Sequence, residues 1–463
     1  MGNPMETAVK TQRLGPIELA PGISQFNVMT KLYACFIGVA MFSGISFLQS
    51  YILTEHLHIP RSQQGTLTGD ITFVAEITTI LFFTPFGVLA DRVGRRPIYI
   101  LGILLIGLGY GLYPFAPSAG WLMVSRFIMS IGVAAAAGML ATMTNDYPQE
   151  NSRGKLIGIT SMANILGTMF VAGVIGRIPI VLTARDVDPV TAGQVMFLFA
   201  TALCIVTAVA AQLGLKEGTP VAKKDQPAVK VLLMSGLRNG KNPRIALSYA
   251  AAFAARSDLV IKGAFLALWA IQDGARLGMS PAGAMARYGI MIIIMQLVSF
   301  VAAPFFGWFM DTVNRITATM VALVFAIVGY LSMYIITSPL DYAMLPWFII
   351  ISLGSGFMLK ASLGLIGQEA PVKERGSVIA MNSTFGAIGI LILMVVGGRL
   401  FDSWGPWAPF VIAGVYQIFL LAAAIVIRIV APGPVVISKR KWWPLMGARS
   451  SAPDEVDPQT PAE

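Results

Sequence analysis

Twelve long apolar runs set the limits on what this sequence can fold into. A bilayer core takes roughly 20 apolar residues per helix. Only helices and closed barrels satisfy their own backbone hydrogen bonds in lipid, and runs of this length favour helices. The sequence therefore predicts an all-α membrane protein with twelve transmembrane helices, at about residues 31–54, 66–90, 98–116, 120–145, 155–180, 193–215, 245–271, 286–310, 316–337, 343–368, 376–400 and 407–430.

Composition excludes the soluble classes of protein. Of the 463 residues, 56% are hydrophobic and only 12% are charged, whereas soluble domains are about a quarter charged. The first run follows a polar tail and lacks a small-residue cleavage site, so we expect a retained span and not a signal peptide. Cys35 and Cys204 both lie inside apolar runs, which indicates neither a disulfide framework nor a metal site. The histidines His56 and His58 favour an ordinary outer loop over a metal site.

Positive charge predicts the orientation. With the N-terminus in the cytoplasm, cytoplasmic segments hold 23 of the 33 Lys and Arg residues and the outer segments hold 6. This asymmetry predicts an inner (plasma) membrane protein with both termini in the cytoplasm. The same charge attracts anionic lipid of the bilayer, and no nucleic-acid-binding module is visible. The loop at 216–244 reads as a cytoplasmic linker or, alternatively, as a regulatory or lipid-contacting segment; its cations are Lys216, Lys223, Lys224, Lys230, Arg238, Lys241 and Arg244.

An internal repeat divides the chain into two halves. The sequence G-V-L-A-D-R-V-G-R-R-P begins at Gly87, and its weaker counterpart G-W-F-M-D-T-V-N-R begins 220 residues later at Gly307. A second pair, Arg153 and Arg375, is offset by 222. Such offsets indicate a duplicated six-helix unit, the parallel type of transporter repeat. We therefore expect a tail at 1–30, six-helix bundles at 31–215 and 245–430, a linker at 216–244 and a cytoplasmic tail at 431–463.

The G-x-L-x-D-x-x-G-R-R loop resembles the signature of the major facilitator superfamily of secondary transporters, and the resemblance covers about residues 30–430. It implies the major facilitator fold and a transporter that is not an enzyme and needs no cofactor. In that family the loop acts as a cytoplasmic latch of the outward-facing state. By matching position, Asp91 should approach Gly376, Arg95 should meet Asp146, and Arg315 should lie near Glu369. The implied latch residues are Gly87, Asp91, Arg92, Gly94, Arg95, Arg96, Asp146, Arg153, Asp311, Arg315 and Arg375.

Ionisable residues inside the runs are the candidates for substrate binding, because each costs about 2.5–3.5 kcal/mol at a helix centre. Asp258 and Lys262 are four residues apart and can neutralise each other on one helix face. Arg256 and Lys360 have no such partner in sequence, so they are the stronger candidates for an anionic substrate group. Lys262 joins them in the predicted site.

A second resemblance concerns proton coupling. Arg126-x-x-x-Ser130-x-Gly132 resembles the family's arginine motif in the fourth span, with Ser130 in place of a usual glycine. In proton-coupled members this arginine is linked to coupling. Asp70 and Glu76 lie where they can pair with it, and such a pair can take up or release a proton as it opens. The predicted coupling residues are Glu76, Asp70, Arg126 and Asp258; the alternative is a static salt bridge that supports the fold.

Uncharged polar residues inside the runs can complete a cavity or serve as contacts between helices. The candidates are Gln49, Asn164, Gln296 and Asn382. Taken together, these features predict a monomeric secondary transporter of a small organic anion, coupled to protons and working by alternating access. The alternatives are a drug or cationic-compound efflux antiporter and a lipid or lysolipid flippase. A membrane enzyme would need a convergent set of catalytic residues, and none is visible in the sequence. The sequence also lacks a Walker loop, so we do not expect ATP to be the energy source.

Overall fold

A computed structural model describes residues 12–218, 229–371 and 374–433. These ranges hold a two-stranded hairpin, β1 (Arg13–Leu14) and β2 (Ile17–Glu18), and fourteen α-helices. The helices are α1 (Gln25–Tyr51), α2 (Arg61–Val93), α3 (Arg95–Leu112), α4 (Ala119–Asp146), α5 (Arg153–Gly173), α6 (Ile178–Thr183), α7 (Pro189–Gly214), α8 (Val229–Asn239), α9 (Pro243–Arg276), α10 (Pro281–Thr312), α11 (Arg315–Leu331), α12 (Leu345–Glu369), α13 (Arg375–Ser403) and α14 (Ala408–Val430). The linker cations Lys223 and Lys224, residues 1–11 of the tail and residues 434–463 lie outside the described ranges.

The long helices confirm the prediction of an all-α membrane protein. Within the described ranges, eleven helical segments are long and apolar enough to cross a bilayer, with α5 and α6 counted as one segment. The twelfth predicted span is the 34-residue helix α9. Arg256, Asp258 and Lys262 interrupt its apolar run, so it is the most highly charged of the predicted spans.

The two halves, α1–α7 and α9–α14, make similar contacts between corresponding helices. Tyr110 of α3 donates its hydroxyl to the Met41 carbonyl oxygen of α1 at 2.8 Å. Tyr330 of α11 does the same to the Asp258 carbonyl oxygen of α9, also at 2.8 Å. These buried tyrosine bonds tie the outer helices α3 and α11 to the inner helices α1 and α9. The sequence repeat is thus matched by a repeat in the packing.

Glycine contacts set the distance between α3 and α4. A Cβ atom on Gly132 would lie 2.5 Å from the Gly102 carbonyl oxygen, and one on Gly102 would lie 2.7 Å from the Ala136 nitrogen. Small residues let membrane helices approach this closely. We expect Gly132→Ala to cost about 1–3 kcal/mol of stability through overpacking. The thermal unfolding midpoint in detergent should fall accordingly.

Gly158→Ala is the matched control, because a Cβ there meets no atom within 4 Å. A midpoint for Gly132→Ala equal to that of Gly158→Ala would show that the α3–α4 contact tolerates a methyl group, against the packing described above.

One face of the bundle carries both described chain ends, and we name it the terminal face. There, Leu19 beside the hairpin pairs with Pro148 in the α4–α5 connection, and the Lys216 backbone N–H donates to the Tyr147 hydroxyl at 3.2 Å. In the second half, Asn314 donates its amide to the Pro432 carbonyl oxygen at 2.6 Å. The opposite face is named the far face.

The two halves touch at the far face and separate toward the terminal face. A Cβ on Gly69 of α2 would lie 2.3 Å from the Met394 carbonyl oxygen of α13, and one on Gly289 of α10 would lie 2.6 Å from the Ala172 carbonyl oxygen of α5. Toward the terminal ends of α2 and α13, a Cβ on Gly87 or Gly376 would meet no atom within 4 Å. The cleft between the halves is therefore closed at the far face.

Candidate functional site

A cavity of about 260 Å³ lies where α1, α2 and α4 of the first half meet α9 of the second. Because residues of both halves line this cavity, a movement of one half relative to the other would change its shape. Two charged residues, Glu76 and Arg126, lie in its wall. The remaining lining residues are Phe42, Ser43, Ser46, Thr72, Ala75, Thr79, Met129, Ser130, Val133, Leu259, Val260 and Gly263.

Glu76 of α2 is the acidic residue in the wall of this cavity. The charges of Arg256 and Arg126 both act on its carboxylate. Among the described residues, none forms a hydrogen bond or an ion pair with Glu76 within the usual distances. The carboxylate therefore faces cations without being locked to either of them.

Arg126 brings a buried cation to the opposite wall. Only 8% of the residue is exposed, its Nη1 lies 3.9 Å from the Met129 sulfur, and its Nε has no hydrogen-bond partner in the described ranges. Ser130 donates its hydroxyl to the Arg126 carbonyl oxygen at 2.7 Å, so the hydroxyl is occupied with the helix backbone. Leaving a buried charged donor unsatisfied is costly, and an anion in the cavity would supply the missing acceptor.

Arg256 of α9 is not among the residues that line the cavity, but its charge acts on Glu76 in the cavity wall. Its stem packs over Gly386 of α13, where a Cβ would come 2.2 Å from the Arg256 Cδ. Nη1 donates to the Ser383 carbonyl oxygen at 3.3 Å. The remaining guanidinium hydrogens have no partner among the described residues, so they are free to bind another acceptor.

Asp258 and Lys262 do not form the direct pair that their spacing allows. Asp258 is fully buried, and its Oδ2 accepts a hydrogen bond from Gln417 Nε2 at 2.8 Å. Lys262 Nζ instead donates to the Ser355 hydroxyl at 2.8 Å. Both side chains point into the interior of the second half, although Leu259, Val260 and Gly263 of the same helix line the cavity.

The other cavity candidates separate by role. Gln49 accepts from the Tyr113 hydroxyl at 2.7 Å, and Asn382 accepts from the Ser248 hydroxyl at 3.2 Å. Both are buried within one half and bind neighbouring helices, and neither is among the residues that line this cavity. Asn164 of α5, whose Oδ1 is buried without a described partner, and Gln296 of α10 are outside the cavity wall. Lys360 is half-buried in α12, with Nζ 3.5 Å from the Gly356 carbonyl oxygen.

Asp70 is not a partner of Arg126. It lies at the far face and pairs with Arg399 of α13 at 3.0 Å. Six residues separate Asp70 from Glu76, which is about 9 Å along a helix. The two acids therefore face different surroundings, and only Glu76 enters the cavity.

The motif loop at the terminal face forms one of the expected ion pairs. Arg95 and Asp146 are in contact as expected, and Arg96 pairs with Glu217. Gly94 has φ +95°, a left-handed value that favours glycine. The charge of Asp91 acts on Arg95. The expected approach of Asp91 to Gly376 is not made in this conformation, because a Cβ on Gly376 would meet no atom within 4 Å.

The second-half counterpart makes a local ion pair. Arg315 at the start of α11 pairs with Asp311 at the end of α10 at 2.7 Å, while Glu369 pairs with Arg244 at 2.6 Å. Arg315 Nη1 lies 3.9 Å from the position of a Cβ on Gly364, toward the same end of α12, so its expected place near Glu369 stays a prediction.

The remaining terminal-face arginines make local contacts. Arg153 pairs with Glu150 at 2.7 Å, and Arg375 Nη2 lies 3.4 Å from the Gly367 carbonyl oxygen. Arg92 is exposed at the end of α2.

Helix α8 fixes the start of α13. Asn239 donates its side-chain amide to Glu374, and Ser235 contacts the Ser377 hydroxyl at 3.2 Å. The hydrogen bonds from Asn239 and Ser235 hold the pKa of the Glu374 carboxyl below its usual range. The linker is thus attached to the second half through this helix.

Two features escaped sequence reasoning. Lys31 in α1 is completely buried and donates to the Thr160 hydroxyl of α5; at the edge of a run it resembles an ordinary flanking lysine. Asp402 lies beyond the apolar run of α13, yet it binds backbone N–H groups of α2. A break in the run at Arg399 and Asp402 was the available signal for the second feature.

Comparison with known proteins agrees with this architecture. The sequence model of the Major Facilitator Superfamily matches residues 32–392 and 264–444. The magnetosome protein MamH of Paramagnetospirillum magneticum is 29% identical over 412 residues, which cover 87% of this chain and 92% of that protein. The multi-drug resistance efflux pump PmrA of Streptococcus pneumoniae is 24% identical over 364 residues, covering 78% of this chain and 85% of the pump.

A solved structure supports the fold independently. The crystal structure of the nucleoside transporter NupG aligns with a TM-score of 0.68 at 12% identity, covering 87% of this chain and 99% of that one. At this identity the likeness concerns the fold alone. The predicted major facilitator fold and the prediction of a transporter, not an enzyme, are confirmed. The protein is a multi-pass membrane protein that belongs to the Major Facilitator Superfamily of secondary transporters.

Proposed function

We propose that this transporter carries a small organic anion together with a proton. The observation that carries the proposal is the buried Arg126 guanidinium, which faces a cavity with an unpartnered Nε. An anionic group placed there would accept charge-assisted hydrogen bonds, and an arginine can hold a carboxylate or phosphate in a bidentate fork.

The charge balance around the cavity favours an anion. Two guanidinium groups, those of Arg126 and Arg256, act on a single carboxylate, that of Glu76. Away from bulk water such an excess of positive charge is weakly screened. An anionic substrate would neutralise it, whereas a cation would add to it.

Coupling to protons follows from competition for the same two arginines. An ionised Glu76 offers its carboxylate to Arg126 and Arg256, and so does an anionic substrate. When Glu76 carries a proton, its attraction to both guanidinium groups is weaker, so the anionic substrate binds them more tightly. By thermodynamic linkage, bound substrate in turn favours a protonated Glu76. Anion and proton therefore occupy the cavity together, which is the arrangement of a symporter.

We further propose that the terminal face is cytoplasmic in the inner (plasma) membrane, because the positive residues concentrate there. The conformation would then be open to the cytoplasm. In the proposed cycle, the bundles 31–215 and 245–430 rock about the cavity as a monomer. Lys360, in the half of α12 nearer the terminal face, would be a further cation on the path of the anion to that face. Supporting roles would fall to Lys262, Asp258, Asn164 and Gln296.

Efflux of cationic drugs is the second candidate. The similarity to PmrA, a protein named as a multi-drug resistance efflux pump, favours it, and Glu76 would then be the cation-binding group. A thermal-shift screen separates the two candidates, using small mono- and dicarboxylates, their neutral amides and tetraphenylphosphonium on the purified protein. We expect stabilisation by carboxylates alone. Stabilisation by tetraphenylphosphonium without any by carboxylates would replace the anion proposal with drug efflux.

A latch role for Asp91 gives a prediction about turnover. Asp91→Asn should leave folding and membrane insertion nearly intact, because the side chain is exposed at the end of α2. It should slow transport several-fold, because the state closed at the terminal face loses the attraction between the carboxylate and the N-terminus of α13. Initial uptake rates at equal protein content provide the measurement. Rates equal to those of the parent protein would remove Asp91 from the latch.

A further inference from the structure

Helices α2 and α13 run antiparallel across the boundary between the halves. The beginning of α2 therefore lies beside the end of α13 at the far face, and the end of α2 lies beside the beginning of α13 at the terminal face. Each helix carries an aspartate close to its C-terminal end, Asp91 in α2 and Asp402 in α13. The pair thus places one carboxylate near the N-terminus of the neighbouring helix at each face.

At the far face this carboxylate is bound. Asp402 Oδ1 accepts the Gly65 backbone N–H at 2.9 Å, and Oδ2 accepts the Thr66 N–H at 2.6 Å. Both groups belong to the second turn of α2, near the end of the helix where its dipole favours an anion. The cap position of α2 is Pro60, which makes no side-chain capping bond. The carboxylate from the opposite half binds one turn further along, beyond the N–H groups that a capping side chain would reach.

Glycine makes this contact possible. A Cβ on Gly65 would lie 2.7 Å from Asp402 Oδ1, and one on Gly398 would lie 2.4 Å from the Gly65 carbonyl oxygen. Neighbouring polar pairs reinforce the closure: Arg399 binds Asp70 at 3.0 Å, and Gln272 of α9 donates to Gln64 at 2.9 Å. Opening the far face must break all of these contacts.

At the terminal face the corresponding groups are apart. Among the described residues, none forms a hydrogen bond with the Asp91 side chain. The cap residue of α13, Glu374, makes no side-chain capping bond to its own helix. The beginning of α13 is therefore available to an acceptor from α2 once the terminal face closes.

We propose that Asp402 is a conformation-selecting residue, the far-face latch that alternates with Asp91. Closing one end of the α2–α13 pair separates the other end, so one carboxylate binds while the other is released. Two charge-to-helix contacts of similar chemistry then offset each other and keep the two states close in free energy. The proposal rests on the alternating-access cycle and is independent of the anion and proton assignments.

Electron–electron distance measurements on spin-labelled protein test this directly. One label pair, Ser118→Cys and Trp404→Cys, spans the far face, and a second, Gly154→Cys with Gly367→Cys, spans the terminal face. The background replaces the buried Cys35 and Cys204 with alanine. Asp402→Asn should lower the ratio of far-face-closed to far-face-open molecules by about tenfold, the range expected for losing charge-assisted hydrogen bonds.

Controls make the outcome specific. Asp186→Asn removes the same charge from an exposed far-face position and should leave both distributions unchanged. Asp91→Asn should shift the populations in the opposite direction, toward the far-face-closed state. If Asp402→Asn does not fold, Gly65→Ala, whose Cβ would displace the carboxylate, replaces it, with Gly158→Ala, a helical glycine outside both latches with open space around it, as its control. Distributions for Asp402→Asn identical to those of Asp186→Asn, or a shift of both latch variants in one direction, would overturn the proposal.

Discussion

Glu76→Gln is expected to abolish accumulation of the anion driven by a pH gradient while exchange of labelled for unlabelled anion persists. Glutamine keeps the size and polarity of the side chain but cannot load or release a proton. It also no longer competes for Arg126 and Arg256, so the anion should bind at least as tightly as to the parent protein. Uptake into proteoliposomes, with and without an imposed gradient, gives both quantities.

Glu55→Gln serves as the matched control for this prediction. Glu55 belongs to a π-helical turn, Ile52–His56, that follows α1, and it is absent from the cavity wall. Its variant should accumulate the anion like the parent protein. Undiminished gradient-driven accumulation by Glu76→Gln would remove Glu76 from the coupling scheme.

Arg256→Lys is expected to weaken anion binding by about tenfold without lowering expression. Lysine keeps the positive charge but loses the planar fork that holds a carboxylate through two hydrogen bonds. The loss of one charge-assisted hydrogen bond is worth about 1.5–3 kcal/mol, which corresponds to a tenfold or larger change in affinity. Scintillation proximity binding on purified protein measures it, and a neutral amide analogue should show no change.

Arg428→Lys is the control for charge-conserving replacement. Arg428 of α14 donates to the Thr317 hydroxyl at 3.0 Å, and, unlike Arg256, it is not among the charges that act on Glu76. Equal anion affinity for Arg256→Lys, Arg428→Lys and the parent protein would place the anion site elsewhere. Parallel losses in both variants would indicate a general effect of the substitution on the fold.

The fold was largely predictable because the bilayer imposes a simple rule on the chain. Helix length, apolar runs and the offset between the two motif loops follow from local sequence and determine twelve spans in two halves. The motif also placed Arg95 beside Asp146, since both lie at adjacent helix ends. The span at 245–271 was predicted as well, although Arg256, Asp258 and Lys262 interrupt its apolar run.

The site was less predictable because it depends on how each helix is rotated about its axis and on which neighbouring side chain lies within hydrogen-bond distance. Asp70 and Glu76 lie on one helix, but they differ in depth and in the face of the helix they leave, so that one meets Arg399 and the other faces the cavity. Gln49 and Asn382 resemble cavity residues in sequence, yet each turns toward a helix of its own half. Glu369 forms its ion pair with Arg244, at the end of the linker, while Arg315 pairs with Asp311.

Simultaneous measurement of substrate and proton movement in proteoliposomes tests the central claim most directly. A pH-sensitive dye inside the vesicles reports protons while a labelled carboxylate reports substrate. The account predicts that adding the anion outside acidifies the interior and that both move in a fixed ratio, with neither flux present in Glu76→Gln without internal substrate. Anion entry with no change of internal pH, or acidification evoked by a cationic drug and by no anion, would contradict it.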